Sequence, residues 1–529
     1  MISSKNRVFN MLERVQNLKY RLVGDSLIVG GMVGLIIVIH RLILAKISPL
    51  FLKFYEKGSN NFALIPLIFM MLIVTGYLVG KCVKKEPMIS GSGIPQVEGI
   101  LTRKLKMNWF RVLFYKFVGG LICLCAGLSV GREGPSVQMG ACVGKGISKK
   151  LKNLDNEEKY LITSGASAGL SAAFNAPISG VMFALEEAHR NFSPLVLLSA
   201  MIASLSSDFV SKQFFGITPS LYFEKIQALP LKYYWSLIIL GLIIGVSGVI
   251  FNTGILKTQE IFKKSKFSIE IKCIIPFVIT GIVGLVYPIL LGGGHDLIMA
   301  LKDQNFTITV LLTFIVVKFL FTFICFGSGI PGGIFFPLLV LGALVGNLTG
   351  IILTGYLGIS EAYIINFIIL AMAGHFASIV KAPITSLILI SEMTGSLDHL
   401  LSLAVVVVVS QLTSDILNSE PIYESLLDRL LEKTSYRCEV NESKKLLLEV
   451  AVHMDSEIDG KYIKDISWPE NCLVVSILRG NKEIIPRGDI EIIGGDYLTI
   501  MTDEKIYSNV LDSIEIISTS SNINLEIFI

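Results

Sequence analysis

The chain has 529 residues, 52% of them hydrophobic and 17% charged, with a mean hydropathy of +0.67. Soluble domains carry about 25% charged residues, so this composition points away from a soluble protein and predicts an integral membrane protein. The net charge of +4 is too slight for a nucleic-acid partner, and the scattered cysteines show no paired spacing, which predicts neither a disulfide framework nor a metal site.

In chain order, residues 1–22 are too charged for a signal peptide and lack an apolar core and cleavage site, so they read as a cytoplasmic amphipathic lead-in. Residues 23–432 follow as the membrane region. Tyr233–Leu256 and Cys273–Gly294 hold no charged residue, and each is long enough for the roughly 20-residue span that crosses a bilayer. Lys and Arg cluster at 5–21, 81–87, 102–106, 145–152 and 257–266. The positive-inside rule makes these cytoplasmic. Residues 211–230 carry only Lys212, Glu224 and Lys225, as an outside loop would. Both termini are thereby expected in the cytoplasm, with the protein crossing the cell membrane many times.

The spans are interrupted. "GSGIPQVEG" (91–99), "GREGP" (131–135), "FNAPISG" (174–180), "GSGIPGG" (327–333) and "VKAPITS" (380–386) place Gly and Pro inside apolar surroundings. Any one of them could be a short turn outside the membrane. Five in one chain predict discontinuous helices whose irregular backbone lines a cavity. An internal repeat accompanies them, about 23–212 and 230–418. "APISGVMFALEE" from Ala176 matches "APITSLILISEM" from Ala382, and aligning Pro177 with Pro383 sets Glu186 on Glu392. Paired repeats with matching breaks point to a transporter or channel with its site at the repeat interface. A membrane receptor would have no need of such breaks.

A half-helix that starts within the membrane presents unpaired N–H groups and the positive end of its dipole, which suits an anion. Ser92 adds a hydroxyl donor, and the Ile334 and Phe335 N–H groups are candidate donors in "GGIFF". Glu133 opens its own helix start. Ionised, it can occupy an anion site and exclude the substrate; protonated, it has little reason to stay. An ionisable residue at membrane depth is functional by default, so Glu133 is expected to be both gate and proton carrier.

These motifs resemble the CLC family of chloride channels and chloride/proton exchangers over roughly Val23 to Leu430, including "AAFNAPISG" (172–180) and "SEPIYESLL" (419–427). The resemblance implies an all-α polytopic membrane fold of two inverted repeats, a homodimer in the lipid bilayer, and one anion path per subunit. It implies that Ser92, Tyr423, Ile334 and Phe335 bind chloride, that Glu133 is the gating glutamate, and that Glu187 passes protons toward it, with Glu186 structural. A glutamate at position 187 favours a chloride/proton antiporter over a passive chloride channel gated by Glu133; no enzyme activity and no cofactor is expected. Gln96 stands where relatives often have an acid, Glu98 is expected to pair with Arg132, and Lys318 to snorkel toward the cytoplasmic edge.

After a linker at 433–440, residues 441–529 change character. Alternation in 472–502 predicts strands with turns at Arg479-Gly480-Asn481 and Gly494-Gly495-Asp496, and a helix over about 508–517. "IIPRGDIEIIGGDYLTIM" resembles the C-terminal subdomain of RCK regulators of potassium conductance (TrkA-C type) over about 441–517. That implies a small cytosolic α+β module, dimeric and sensing a small ligand such as a nucleotide; a purely structural clamp is the alternative.

Overall fold

The computed structural model describes residues 18–190, 193–223, 227–304, 306–433, 445–480, 482–503 and 506–519. Most of the predicted lead-in, the linker, Asn481 of the first predicted turn, and the last ten residues lie outside them. The described chain divides into a helical unit, through Leu101 and over Met107–Leu430, and a second unit from Leu431 onward with Thr102–Lys106.

The first helix, Leu18–Asn60, begins within the predicted lead-in, and Leu22 is already buried in its packing. Among the described residues, eight helices are long and apolar enough to cross a membrane. The uncharged run at 319–360 is two of these, Ile308–Gly327 and Phe335–Leu357, separated by the predicted "GSGIPGG" break. The run at 273–294 is helical only to Val286, because Pro288 and three glycines follow.

The helices Glu133–Lys150 and Asp155–Phe174 are too polar to be read as spans, yet both are largely buried in the unit. Small residues make this possible. A Cβ at Gly140 would lie 2.8 Å from the Gly165 carbonyl carbon and 3.3 Å from Gly169 Cα. Lipid is as apolar as a leucine side chain, so membrane helices gain attraction by bringing backbones together rather than by excluding water.

The repeats meet in a reciprocal exchange of caps. The helix Pro177–Phe183 runs into a π-helical turn, Ala184–Ala188, that carries Glu186. The Glu186 carboxylate accepts hydrogen bonds from Ile384 N (3.1 Å), Thr385 N (2.7 Å) and Thr385 Oγ1 (2.6 Å), at the start of the helix Pro383–Thr394. Glu392 of that helix accepts in turn from Ile178 N (3.1 Å), Ser179 N (2.7 Å) and Ser179 Oγ (2.5 Å). Each glutamate satisfies two orphan N–H groups of the other repeat's helix and sits at the positive end of its dipole. Glu186 thus has the structural place expected of it.

In the second unit four strands form an antiparallel sheet in the order β1-β4-β2-β3: β1 Lys445–Ala451, β2 Cys472–Arg479, β3 Lys482–Ile484 and β4 Tyr497–Asp503. The helix Tyr507–Thr519 covers the face bearing Leu448, Val450, Leu498 and Ile500. β1 is not among the strands expected from the sequence, which treats 472–502 alone as the alternating segment. Arg479 donates through Nε and Nη2 (both 2.8 Å) to the buried Asp496, which also accepts from Ile493 N.

Replacing Glu392 with Gln should weaken the helical unit by about 1–3 kcal/mol, because the charge-assisted share of two caps is lost. Glu186→Gln should cost a similar amount. Thermal unfolding in detergent checks both; midpoints equal to wild type would show that the reciprocal caps contribute nothing to stability.

Candidate functional site

Backbone hydrogen bonds tie three of the predicted breaks into one knot. Gly91 N donates to Ile330 O (3.1 Å) and Gly332 N to Gly91 O (3.1 Å), joining the first and fourth breaks. Gly131 N donates to Gly333 O (2.7 Å) and Gly333 N to Gly131 O (2.8 Å), joining the second and fourth. The helices beginning at Ile94, Glu133 and Phe335 therefore start from one place. A Cβ at Gly134 would lie 2.8 Å from the Ser92 carbonyl oxygen and 3.2 Å from Gly333 Cα, so only glycine allows this approach. First-turn N–H groups of such helices have no partner within the helix and face the knot.

Two lysines secure the flanks. Lys116 donates to Ile89 O (2.9 Å) and Gly91 O (2.7 Å), and Lys318 to Leu290 O and Gly292 O (both 2.8 Å). Each reaches carbonyls just after a short 3₁₀ turn opened by a proline, Pro87 in one repeat and Pro288 in the other. Lys318 is completely buried, so it does not snorkel. Its ammonium is retained inside because carbonyl oxygens replace the water it gives up. Gln96, where relatives often have an acid, donates from Nε2 to Ser90 O (2.7 Å), a bond an ionised acid could not make.

Around the knot, Ser92, Glu133, Ile334, Phe335 and Tyr423 are all buried. Ser92 Oγ, Glu133 Oε2 and Tyr423 OH have no hydrogen-bond partner among the described residues. Buried polar atoms are nearly always paired, so three unpaired ones in one place suit reception of a polar or charged ligand. Ser92 is the hydroxyl beside Tyr423, and Tyr423 is within electrostatic reach of both Glu187 and Glu133. Phe335 packs against Phe376 at 4.7 Å and Phe174 at 5.2 Å between ring centroids, walling the place with apolar surface.

Glu133 is the first residue of its helix, and its carboxylate interacts with its own N–H and that of Phe336. Arg132 Nε lies 3.9 Å from Glu133 Oε1, while Arg132 Nη2 donates to Ala173 O (3.3 Å). A cavity of about 740 Å³ reaches Glu133, lined among others by Tyr55, Arg132, Gly293, His295 and Phe336.

Glu187 belongs to a second cluster. Arg190 lies 3.3 Å from Glu98, 3.8 Å from Glu187 and 3.5 Å from Glu424. Glu98 thus pairs with Arg190 and not, as the sequence suggests, with Arg132; the left-handed backbone of Arg190 (φ 51°) follows the π-helical turn that carries Glu187. Arg190, Glu424, Lys116 and the caps made by Glu186 and Glu392 are absent from the sequence-derived site. Charged residues in apolar runs were the available signal for Lys116, as for Lys318.

The model of the voltage gated chloride channel family matches residues 71–415, and that of the TrkA-C domain residues 447–514. The H(+)/Cl(−) exchange transporters ClcA of Salmonella arizonae and Salmonella typhimurium are each 34% identical over 389 residues, 72% of this chain and 82% of theirs. A slow cyanobacterial Cl−/H+ antiporter superposes with a TM-score of 0.75 at 28% identity, covering 78% of this chain and 99% of its own. A eukaryotic CLC transporter, at TM-score 0.66 and 21% identity over 84% of this chain and 80% of its own, shares the fold.

Proposed function

The chain belongs to the voltage gated chloride channel family, the CLC proteins, and from that premise we propose that it is a secondary active antiporter moving chloride across the cell membrane in exchange for protons. The observation that carries the reading is a pair of buried carboxylates, Glu133 and Glu187, with Tyr423 as their common neighbour. A passive channel needs a gate; a proton path needs a second ionisable group on the far side of the anion site. The exchange transporters among the relatives support the same choice.

In this reading chloride is held by the Ser92 and Tyr423 hydroxyls and the Ile334 and Phe335 N–H groups. These are partial charges, and a transport site must bind weakly enough to release. Glu133 competes with chloride when ionised and withdraws when protonated. Glu187 delivers the proton, with Arg190 holding its carboxylate in place between Glu98 and Glu424. The proposed assembly is a homodimer with one path per subunit and both termini cytoplasmic. The TrkA-C domain suggests a cytosolic ligand, for which nucleotides are the proposed class.

Three experiments test this. Glu133→Gln mimics the protonated acid, so in sealed vesicles chloride should still move while protons no longer follow a chloride gradient. Uphill proton movement by that mutant would remove Glu133 from the mechanism. Ser92→Ala combined with Tyr423→Phe deletes two hydroxyl donors to an anion and should weaken chloride binding roughly tenfold or more; unchanged affinity by calorimetry places the site elsewhere. Truncation after Lys433 should leave a dimer that still exchanges the two ions but no longer responds to the cytosolic ligand, because a ligand biases transport only through different affinity for its states. Loss of dimer assembly on truncation would instead make the tail a structural clamp.

A further inference from the structure

The mechanism above gives Glu133 a proton to take up and release but does not say which group on the cavity side hands it over. One titratable side chain on that side is placed for the task. His295 is the first residue of the helix His295–Asp303, directly after Gly292-Gly293-Gly294, and lines the same cavity as Glu133. Its ring lies 6.2 Å, centroid to centroid, from Phe336, whose N–H is one of the groups interacting with the Glu133 carboxylate.

The two ring nitrogens have different partners. Nε2 lies 2.9 Å from the Ser220 carbonyl oxygen, and a carbonyl can only accept, so Nε2 carries the hydrogen in the neutral ring. Nδ1 is then the basic nitrogen. It lies 3.5 Å from Asp296 Oδ1, where an arriving proton creates an ion pair. The side chain is half exposed, open to water on one side and to the cavity on the other. The other charged and titratable groups of that cavity are Glu56 and Tyr55 from the first helix, Cys125 ahead of the second break, Arg132 and Glu133 within it, and Asp296 beside His295. Lys318 stands behind the glycine loop, committed to the Leu290 and Gly292 carbonyls. Among the described lining residues, His295 is the only histidine, a side chain that can take a proton on one ring nitrogen while the other keeps its hydrogen bond.

We propose that His295 relays protons between the solution at the cavity mouth and Glu133. In the uptake direction Nδ1 takes a proton from solvent, passes it to cavity water, and that water protonates the Glu133 carboxylate. The imidazole returns to its neutral form and the carboxylate becomes a carboxylic acid, with one proton transferred and no other bond changed. Release runs the same steps backward. His295 acts through Glu133 and touches no chloride, so it is a positioning and proton-handling residue. The inference rests on the reading of Glu133 as the proton-accepting gate.

The test uses the full chain in sealed vesicles, with the cavity-side pH varied. His295→Gln keeps a donor for Ser220 O but cannot carry a proton, and His295→Ala leaves room for a small molecule. Both should slow coupled exchange about three- to tenfold, below the range of a direct acid–base residue because water still supplies protons. The dependence on cavity-side pH should flatten, while the chloride-to-proton ratio stays at the wild-type value. Millimolar imidazole on the cavity side should restore the rate of His295→Ala and leave wild type unchanged. A His295→Gln protein with the wild-type pH profile overturns the proposal, as does a slowed His295→Ala protein that imidazole does not rescue. Glu133→Gln serves as the control that separates the two ideas. If it keeps proton coupling, the reading of Glu133 fails; if it loses coupling while His295 variants behave as wild type, only the relay fails.

Discussion

Inside a bilayer every unpaired backbone N–H or C=O costs several kcal/mol, because hydrocarbon offers no water to replace the missing partner. A helix broken at membrane depth multiplies that cost, and all five breaks expected from the sequence are present among the described residues. The arrangement of the helical unit follows from how those groups are satisfied. Gly91, Gly131, Ile330, Gly332 and Gly333 pair with one another, Lys116 and Lys318 take the carbonyls at Ile89, Gly91, Leu290 and Gly292, Glu186 takes the helix start at Ile384, and Glu392 takes that at Ile178. The first-turn N–H groups of the Phe335 helix have no partner within the helix, and that of Phe336 interacts with the Glu133 carboxylate.

The repeat doubles each of these solutions. Asn175 and Lys381 end equivalent helices in the left-handed conformation, at φ 57° and 66°, before equivalent Ala-Pro starts. Lys116 and Lys318 occupy equivalent sites, and the two capping glutamates reach across from one repeat to the other. The reciprocal caps are therefore more than two local hydrogen-bonded turns. Neither repeat can complete its own Ala-Pro helix start, so each holds the other in register. The proposed binding site, made in part of backbone N–H groups, needs a rigid frame, since such donors cannot be re-aimed by rotamer changes.

Much of this was legible in the sequence, for identifiable reasons. Gly and Pro in apolar runs announced all five breaks, because few other roles explain them there, and the Ala-Pro-Ile repeat announced the relation between Glu186 and Glu392. Pairing across long sequence distance was not legible. The sequence offered Arg132 for Glu98, whereas the left-handed turn at Arg190 brings that residue to 3.3 Å instead. A lysine near the end of an apolar run looks the same whether it snorkels or caps a buried loop; Lys318 does the second because the 3₁₀ turn at Pro288 exposes two carbonyls beside it. β1 escaped detection because it pairs with β4 from more than forty residues away, while its own alternation is short.

The disposition of positive charge bears on how the proposed site would bind an anion without trapping it. Cationic side chains do lie near the knot, but each is already engaged with backbone or side-chain oxygens. Lys116 and Lys318 are held by pairs of carbonyls, Arg132 by Ala173 O beside Glu133, and Arg41 by Ala172 O, Asn175 Oδ1 and Ser211 Oγ. Their fields still favour negative charge in the region, because a low-dielectric surrounding screens them little. Arg132 is already paired with Glu133, and in the proposed reading a further direct ion pair would hold chloride too strongly for turnover. In the proposed reading the chain separates two tasks that a single lysine would combine: basic groups already engaged elsewhere make the region hospitable to an anion, and hydroxyl and amide dipoles make the contact. A carboxylate such as Glu133 would meet the same field and the same dipoles as an anion, which is why, in the proposed reading, one site serves both in alternation.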